Sequence, residues 1–209
     1  MHNQADYSHL IEMLLGGIPL SVLEFRLRPH SNPERTERQA SKLAKKAKWH
    51  TNEFEDYSTK GFLGRNESLT ELVIGDYKII KKAGSTYLKI ADELDKFIAT
   101  PYSYKLASGY SVDEAILINA GVQSCPWGCD IFGGNIAVIR RDESSFLSSF
   151  NDMLSYFGFS LPHLGRASVL VTGLLPHLVR EHYFFEGRKT RYRADPKFLI
   201  HAFNLERNY

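Results

Sequence analysis

Cys125-Pro126-Trp127-Gly128-Cys129 and His177-Leu178-Val179-Arg180-Glu181-His182, the second running on into Tyr183-Phe184-Phe185-Glu186-Gly187, decide how this chain is read. Two cysteines and two histidines are the donor set that zinc prefers, and a structural zinc site needs four such ligands. The spacings C-x3-C and H-x4-H both fall in the range that short metal-binding segments use. Pro126 and Gly128 can bend the loop so that both sulfurs face one way. The histidines carry a geometric condition. On an ideal α-helix, positions five apart lie about 140° apart around the axis. His177 and His182 therefore converge only if the helix tightens or unwinds before Gly187. The 47 residues between Cys129 and His177 also make this a clip inside a larger fold rather than a small finger.

The same residues admit a catalytic alternative. Cys125 or Cys129 beside His177 or His182 would form a nucleophile and base, with Glu181 or Asp130 to orient the imidazole. C-x3-C departs from the C-x-x-C of disulfide oxidoreductases. Just downstream, Arg180, Arg188, Lys189, Arg191 and Arg193 interleave with Tyr183, Phe184, Phe185 and Tyr192. Arginines among aromatics suit phosphate contact with base stacking. The plainer account places Phe184 and Phe185 in the core and the arginines in solvent or against Glu181 and Glu186.

Working outward, Ala115 to Asn119 and Asn135 to Arg141 read as strands around a turn-rich loop. A helix is predicted through Phe146, Leu147, Phe150, Leu154 and Phe157, and a short third strand over Val169 to Thr172. The helix bearing the histidines is expected to open near Thr172 or Gly173, to accept Pro176 in its first turn, and to stop at Gly187. Arg188 to Arg193 reads as a basic extended segment, and Asp195 caps a closing helix over Pro196 to Phe203.

Upstream, Leu69, Leu72, Val73, Ile79 and Ile80 recur at helical spacing and Gly84 ends that helix. Ser85 or Thr86 caps the next, whose Leu88, Ile90, Ala91, Leu94, Phe97 and Ile98 form a face up to Pro101. Two helices around a glycine turn share the layout of a helix-turn-helix. Asp92, Glu93 and Asp95 on the second, against Lys89 and Lys96, would repel phosphates, so a core hairpin is the better reading. Gly61-Phe62-Leu63-Gly64 reads as a docking turn. Residues 6–16 suggest a short helix with Leu10, Ile11, Leu14 and Leu15 on one face. Leu23 to Arg28 alternates apolar and charged residues, which favours a strand or extended arm.

The bulk numbers exclude rather than assign. With 209 residues, 43% hydrophobic and 24% charged, the chain can bury a sizeable core. Its net charge of +2 is unevenly spread. Residues 25–50 carry eight basic side chains against Glu34 and Glu37, leaving the remainder net negative. Glu34 to Lys48 reads as a helix with a weak face of Ala40, Leu43, Ala44 and Ala47. It is either solvated or an electrostatic contact for a phosphate backbone or an acidic protein. The first residues lack the pattern of a secretory signal, and Leu14 to Leu23 is too short and broken for a membrane span. A cytoplasmic location is expected, where a cysteine pair is a metal clip, a redox pair or plain thiols more often than a structural disulfide.

Four pieces taken together, Gly61 to Gly64, Cys125 to Cys129, His177 to Gly187 and Tyr192-Arg193-Ala194-Asp195-Pro196, resemble a group of bacterial proteins with no assigned activity. The resemblance covers about residues 60 to 205. It implies a bacterial or phage source and brings no catalytic residue or cofactor with it.

The expectation is an α+β protein with a helical N-terminal half and a C-terminal half built on a small sheet covered by helices. Residues 1–60 form a basic arm with helices, 61–101 a helical hairpin, and 102–209 the α+β part with the Cys2His2 clip. The function expected is a non-catalytic binding module, stabilised by structural zinc on Cys125, Cys129, His177 and His182. It would contact nucleic acid or an acidic protein through its basic segments, with no membrane and no identifiable small-molecule substrate. The alternative is the Cys/His enzyme.

Overall fold

The computed structural model describes residues 5–30, 33–47, 61–112, 123–134, 136–141, 168–190 and 192–207. Within them the chain is α+β, with seven helices and two small antiparallel sheets. The helices are α1 (Ala5–Leu15), α2 (Leu20–Leu27), α3 (Pro33–Lys46), α4 (Leu69–Lys82), α5 (Tyr87–Ala99), α6 (Leu175–His182) and α7 (Pro196–Ala202). The strands are β1 (Tyr110–Val112), β2 (Gln123–Ser124), β3 (Phe132–Gly133), β4 (Ile136–Arg141) and β5 (Ser168–Thr172). The predicted strand over Ala115 to Asn119 and the predicted helix through Phe146 to Phe157 lie outside the described residues. No helix among the described residues is long and apolar enough to cross a membrane.

The helical hairpin forms as its punctuation requires. The Ser68 hydroxyl accepts the Glu71 N–H and the Thr86 hydroxyl accepts the Lys89 N–H, capping α4 and α5. Between them Gly84 adopts φ +68, which a side chain would resist. Leu72, Val73 and Ile80 of α4 and Ile90, Ala91, Leu94 and Phe97 of α5 are buried in the shared core.

One expected strand is a helix. Leu23 to Arg28 lies mostly in α2 and continues from its N-cap Pro19. Alternation and helical spacing overlap over so few residues. Here Val22, Leu23 and Leu27 bury one face, and Glu24 reaches Arg28 one turn on at 3.1 Å. Arg28 is extended (ψ 156), as a residue before proline prefers, and the helix stops.

Gly61 to Gly64 does the docking its composition suggests. The Phe62 and Leu63 N–H groups donate to the Leu27 carbonyl at 2.6 and 2.8 Å, while the Phe62 carbonyl accepts the Gly187 N–H at 2.7 Å. The turn thus ties the end of α2 to the segment that follows α6. Phe62 and Leu63 are both buried.

In the larger sheet β4 is central, with β1 and β5 antiparallel on either side. Ala137 faces Val171 and Ile139 faces Val169 across the β4–β5 pair. Ile139, Val169 and Val171 join the main core. β2 and β3 form a separate hairpin that carries the cysteine loop. Gly133 lies so close to the start of α6 that a Cβ there would sit 2.1 Å from the Leu174 nitrogen. That neighbour is backbone and cannot rotate away. Gly133→Ala should therefore destabilise the fold by about 1–3 kcal/mol, as overpacking does, and push the hairpin off α6. Chemical denaturation checks the first effect; an unchanged midpoint would contradict it.

Candidate metal centre

The cysteine loop is shaped by its own backbone. The Gly128 N–H donates to the Cys125 carbonyl at 3.0 Å, and Gly128 takes φ +84. The Cys125 N–H donates to the Ile131 carbonyl at 3.2 Å, and the Ile131 N–H to the Cys129 carbonyl at 2.7 Å. Trp127 and Cys129 also hydrogen-bond through their backbones to the Cys125 sulfur. Such N–H···S contacts favour a thiolate.

The histidines sit on α6, which opens from Leu174, one residue past the expected Gly173, with Pro176 in its first turn as expected. The helix does not run to Gly187. It ends at His182, followed by Tyr183 in a left-handed conformation (φ 53, ψ 33). The closing bonds explain how two residues five apart converge. The Tyr183 N–H donates to the Leu178 carbonyl, five residues back, and the Phe184 N–H reaches the same carbonyl at 3.1 Å. A bond five residues back is the π-type widening of a turn, which swings positions five apart towards one face. The condition that the sequence sets is met by unwinding the last turn.

The four donor atoms of Cys125, Cys129, His177 and His182 all lie within 4.8 Å of one another. The His177 Nε2 is 3.3 Å from the Cys125 Sγ. The His182 Nε2 is 3.3 Å from the Cys125 Sγ and 3.5 Å from the Cys129 Sγ. A tetrahedron with bonds of about 2.0–2.3 Å has edges of about 3.3–3.8 Å, and the three sulfur-to-nitrogen separations match those edges. The four residues are positioned to bind a metal.

Electrostatics at the site favour a cation. Burial pushes the Cys125 thiol up to about 12, and the neighbouring Cys129 adds to the rise. Two thiolates this close need a positive charge between them. Burial, reinforced by His177, lowers His182 to about 4, and burial also lowers His177. Both imidazoles are thus neutral, with a lone pair to offer, at neutral pH. The depressed His182 value has a consequence for folding. The unfolded chain takes up the proton more readily, so this contribution to stability is present above about 6.5 and is lost as pH falls towards about 4.

Trp127 was not apparent as part of the site from spacing alone. It sits between the two cysteines, buried, with its indole stacked on the His182 ring at 4.2 Å and 8°. A tryptophan inside a Cys-to-Cys loop is the one sequence signal for this role.

The basic residues downstream do not gather on one face. Arg180 spans α6 to α5, donating to Asp92 at 2.8 Å and Asp95 at 2.6 Å. Arg193 turns inward, 5% exposed, and grips Asp76 at 2.7 and 2.5 Å while donating to the Glu186 carbonyl. Arg188 and Lys189 are exposed at a turn, not on a strand, where the Thr190 N–H meets the Gly187 carbonyl. Arg191 lies outside the described residues. As the plainer reading held, Phe184 and Phe185 are fully buried.

The chain matches no protein-family model, no curated protein and no solved structure.

Proposed function

We propose that the chain is a non-catalytic binding module held together by one structural zinc ion on Cys125, Cys129, His177 and His182. The convergence of those four donor atoms within 4.8 Å carries the reading. Soft thiolates with imidazoles select zinc over harder cations, and four protein ligands leave no open position for a substrate. The staple joins the β2–β3 hairpin to α6 and so fixes parts of the chain far apart in sequence.

The partner side of the module is its basic surface. Arg38, Lys42, Lys45 and Lys46 are exposed on α3, while Leu43 and Ala47 pack against the core. A cationic helix face suits a phosphate backbone or an acidic protein. Retention on nucleic acid at two salt concentrations tests this; no retention at low salt removes it.

The enzyme alternative finds less support. A nucleophilic cysteine needs a lowered pKa, and burial drives Cys125 the other way. Neither Glu181 nor Asp130 hydrogen-bonds an imidazole among the described residues, and both are exposed.

Metal analysis of the purified protein tests the zinc reading. One zinc per chain is expected. Calorimetry at pH 7 in buffers of different ionisation enthalpy should show at least one proton released per zinc bound, because Cys125 must lose its proton to bind the metal. A chain that takes up no zinc overturns the proposal.

A further inference from the structure

The metal centre reaches the end of α1 through Trp127. Trp127 lies on the loop between the two cysteines, so binding an ion at both sulfurs would fix its backbone. Its ring is held by the His182 stack on one side and by an edge contact with Phe184 at 5.5 Å. The far end of the indole leaves the site. Its Nε1–H donates to the Leu14 carbonyl at 2.7 Å, across 113 residues of sequence.

Leu14 lies in the last turn of α1, where carbonyls have no partner within the helix. The Glu12 carbonyl accepts the Gly16 N–H and the Leu15 carbonyl accepts the Ile18 N–H. The Leu14 carbonyl is taken by Trp127. Its residue is fully buried, so water does not offer an easy replacement. Directly after it come Gly16 (φ +53) and Gly17 (φ +80), a pair of left-handed residues at which the chain reverses into α2. On the next helix, Arg26 points its guanidinium at the Pro126 carbonyl of the same cysteine loop, at 3.5 Å.

We propose that Trp127 couples the metal centre to the end of α1, so that zinc in the four-ligand site holds the α1–α2 corner in place and its loss loosens that corner first. The proposal rests on the zinc reading above. The aliphatic face of α1 keeps its own attachment through Leu10 and Leu14, and Tyr7 meets Tyr77 edge-on at 6.0 Å. The coupling therefore acts locally, on the corner at residues 12–18, rather than by releasing the whole helix. Trp127 is a positioning residue: it binds no metal and acts through His182 and Leu14.

Hydrogen exchange of the full chain, with and without a zinc chelator, tests this. The expected result is that chelation speeds exchange at residues 12–18 at least tenfold while residues 196–202 of α7 change little. Trp127→Phe separates the two functions of the indole, since phenylalanine can stack on His182 but has no N–H to donate. That variant should still bind one zinc, while residues 12–18 exchange fast whether or not zinc is present. Three outcomes overturn the coupling and leave the zinc reading intact. They are zinc-dependent protection that survives in Trp127→Phe, no change at residues 12–18 on chelation, or an equal rise at 196–202 that marks global unfolding. A wild-type chain that binds no zinc defeats the zinc reading itself, and the coupling with it.

Discussion

Cys125→Ser is expected to abolish stoichiometric zinc and to lower stability by at least about 4 kcal/mol, the scale on which losing a metal site acts. For a chain of this size about 2–4 °C of Tm accompany each kcal/mol, so the transition should move down by about 8–16 °C. Cys125 Sγ lies 3.3 Å from the Nε2 of both imidazoles. Serine keeps the shape of the side chain and removes the thiolate. What remains is three ligands around a site whose fourth corner holds a neutral hydroxyl. The control is the same pair of proteins in excess chelator. There the Tm gap should nearly close, because the wild type then lacks its ion as well. A gap that persists unchanged in chelator would assign the loss to packing at a buried cysteine and would sink the metal account.

Arg193→Met should be nearly as damaging, for a different reason. Asp76 is 1% exposed and Arg193, whose guanidinium it pairs with, is 5% exposed. Removing the cation leaves a buried carboxylate without its ion-pair partner, which costs about 3–5 kcal/mol. It also removes a donor from the Glu186 carbonyl. Burial already holds the Asp76 carboxyl above its ordinary range, and Arg193 only partly offsets that. Without Arg193 the rise must grow. A folded-state pKa raised above the unfolded value gives stability that is present at low pH and lost as pH climbs through it. The variant should therefore be relatively more stable in mild acid, and its deficit against the wild type should widen towards neutral pH. Adding Asp76→Leu should recover a large share, since an apolar pair of similar volume often replaces a buried ion pair at little cost. Denaturant titrations across pH check both points. If Arg193 instead met an external anion, Arg193→Met would leave stability untouched.

The sequence made the ligand set legible because metal chemistry tolerates few residue types, and chain spacing limits where they fall. It also made the α4–α5 hairpin legible, since Ser68, Thr86 and Gly84 mark its ends with side chains whose roles are local. Residues 23–28 misread as extended because six residues give helix and strand patterns too little length to diverge. What decided between them was tertiary: which face Leu23 and Leu27 bury. The stop of α6 was misplaced by four residues for a similar reason. Gly187 is a good helix stop, but Tyr183 takes the left-handed conformation first. Burial of Phe184 and Phe185 is the tertiary gain that accompanies it. The fates of Arg180 and Arg193 were not readable, because Asp92, Asp95 and Asp76 are 85 or more residues distant and only the fold brings them together.

The pairing of β4 with β5 bears on how the metal centre assembles. Between Cys129 and His177 lie 47 residues, a long loop for an ion to close. The register that places Arg140 opposite Ser168 already joins the two ends of the intervening stretch. Sheet formation thus absorbs the chain entropy of bringing the hairpin near α6, and an ion bound at the four donors would close only the short remainder. Loop-closure entropy grows only slowly, by about 0.6 kcal/mol per doubling of length, so the β4–β5 register, more than the length of chain between the two strands, sets how near the hairpin lies to α6. The centre is insulated from length change in the part of the chain that separates its two halves.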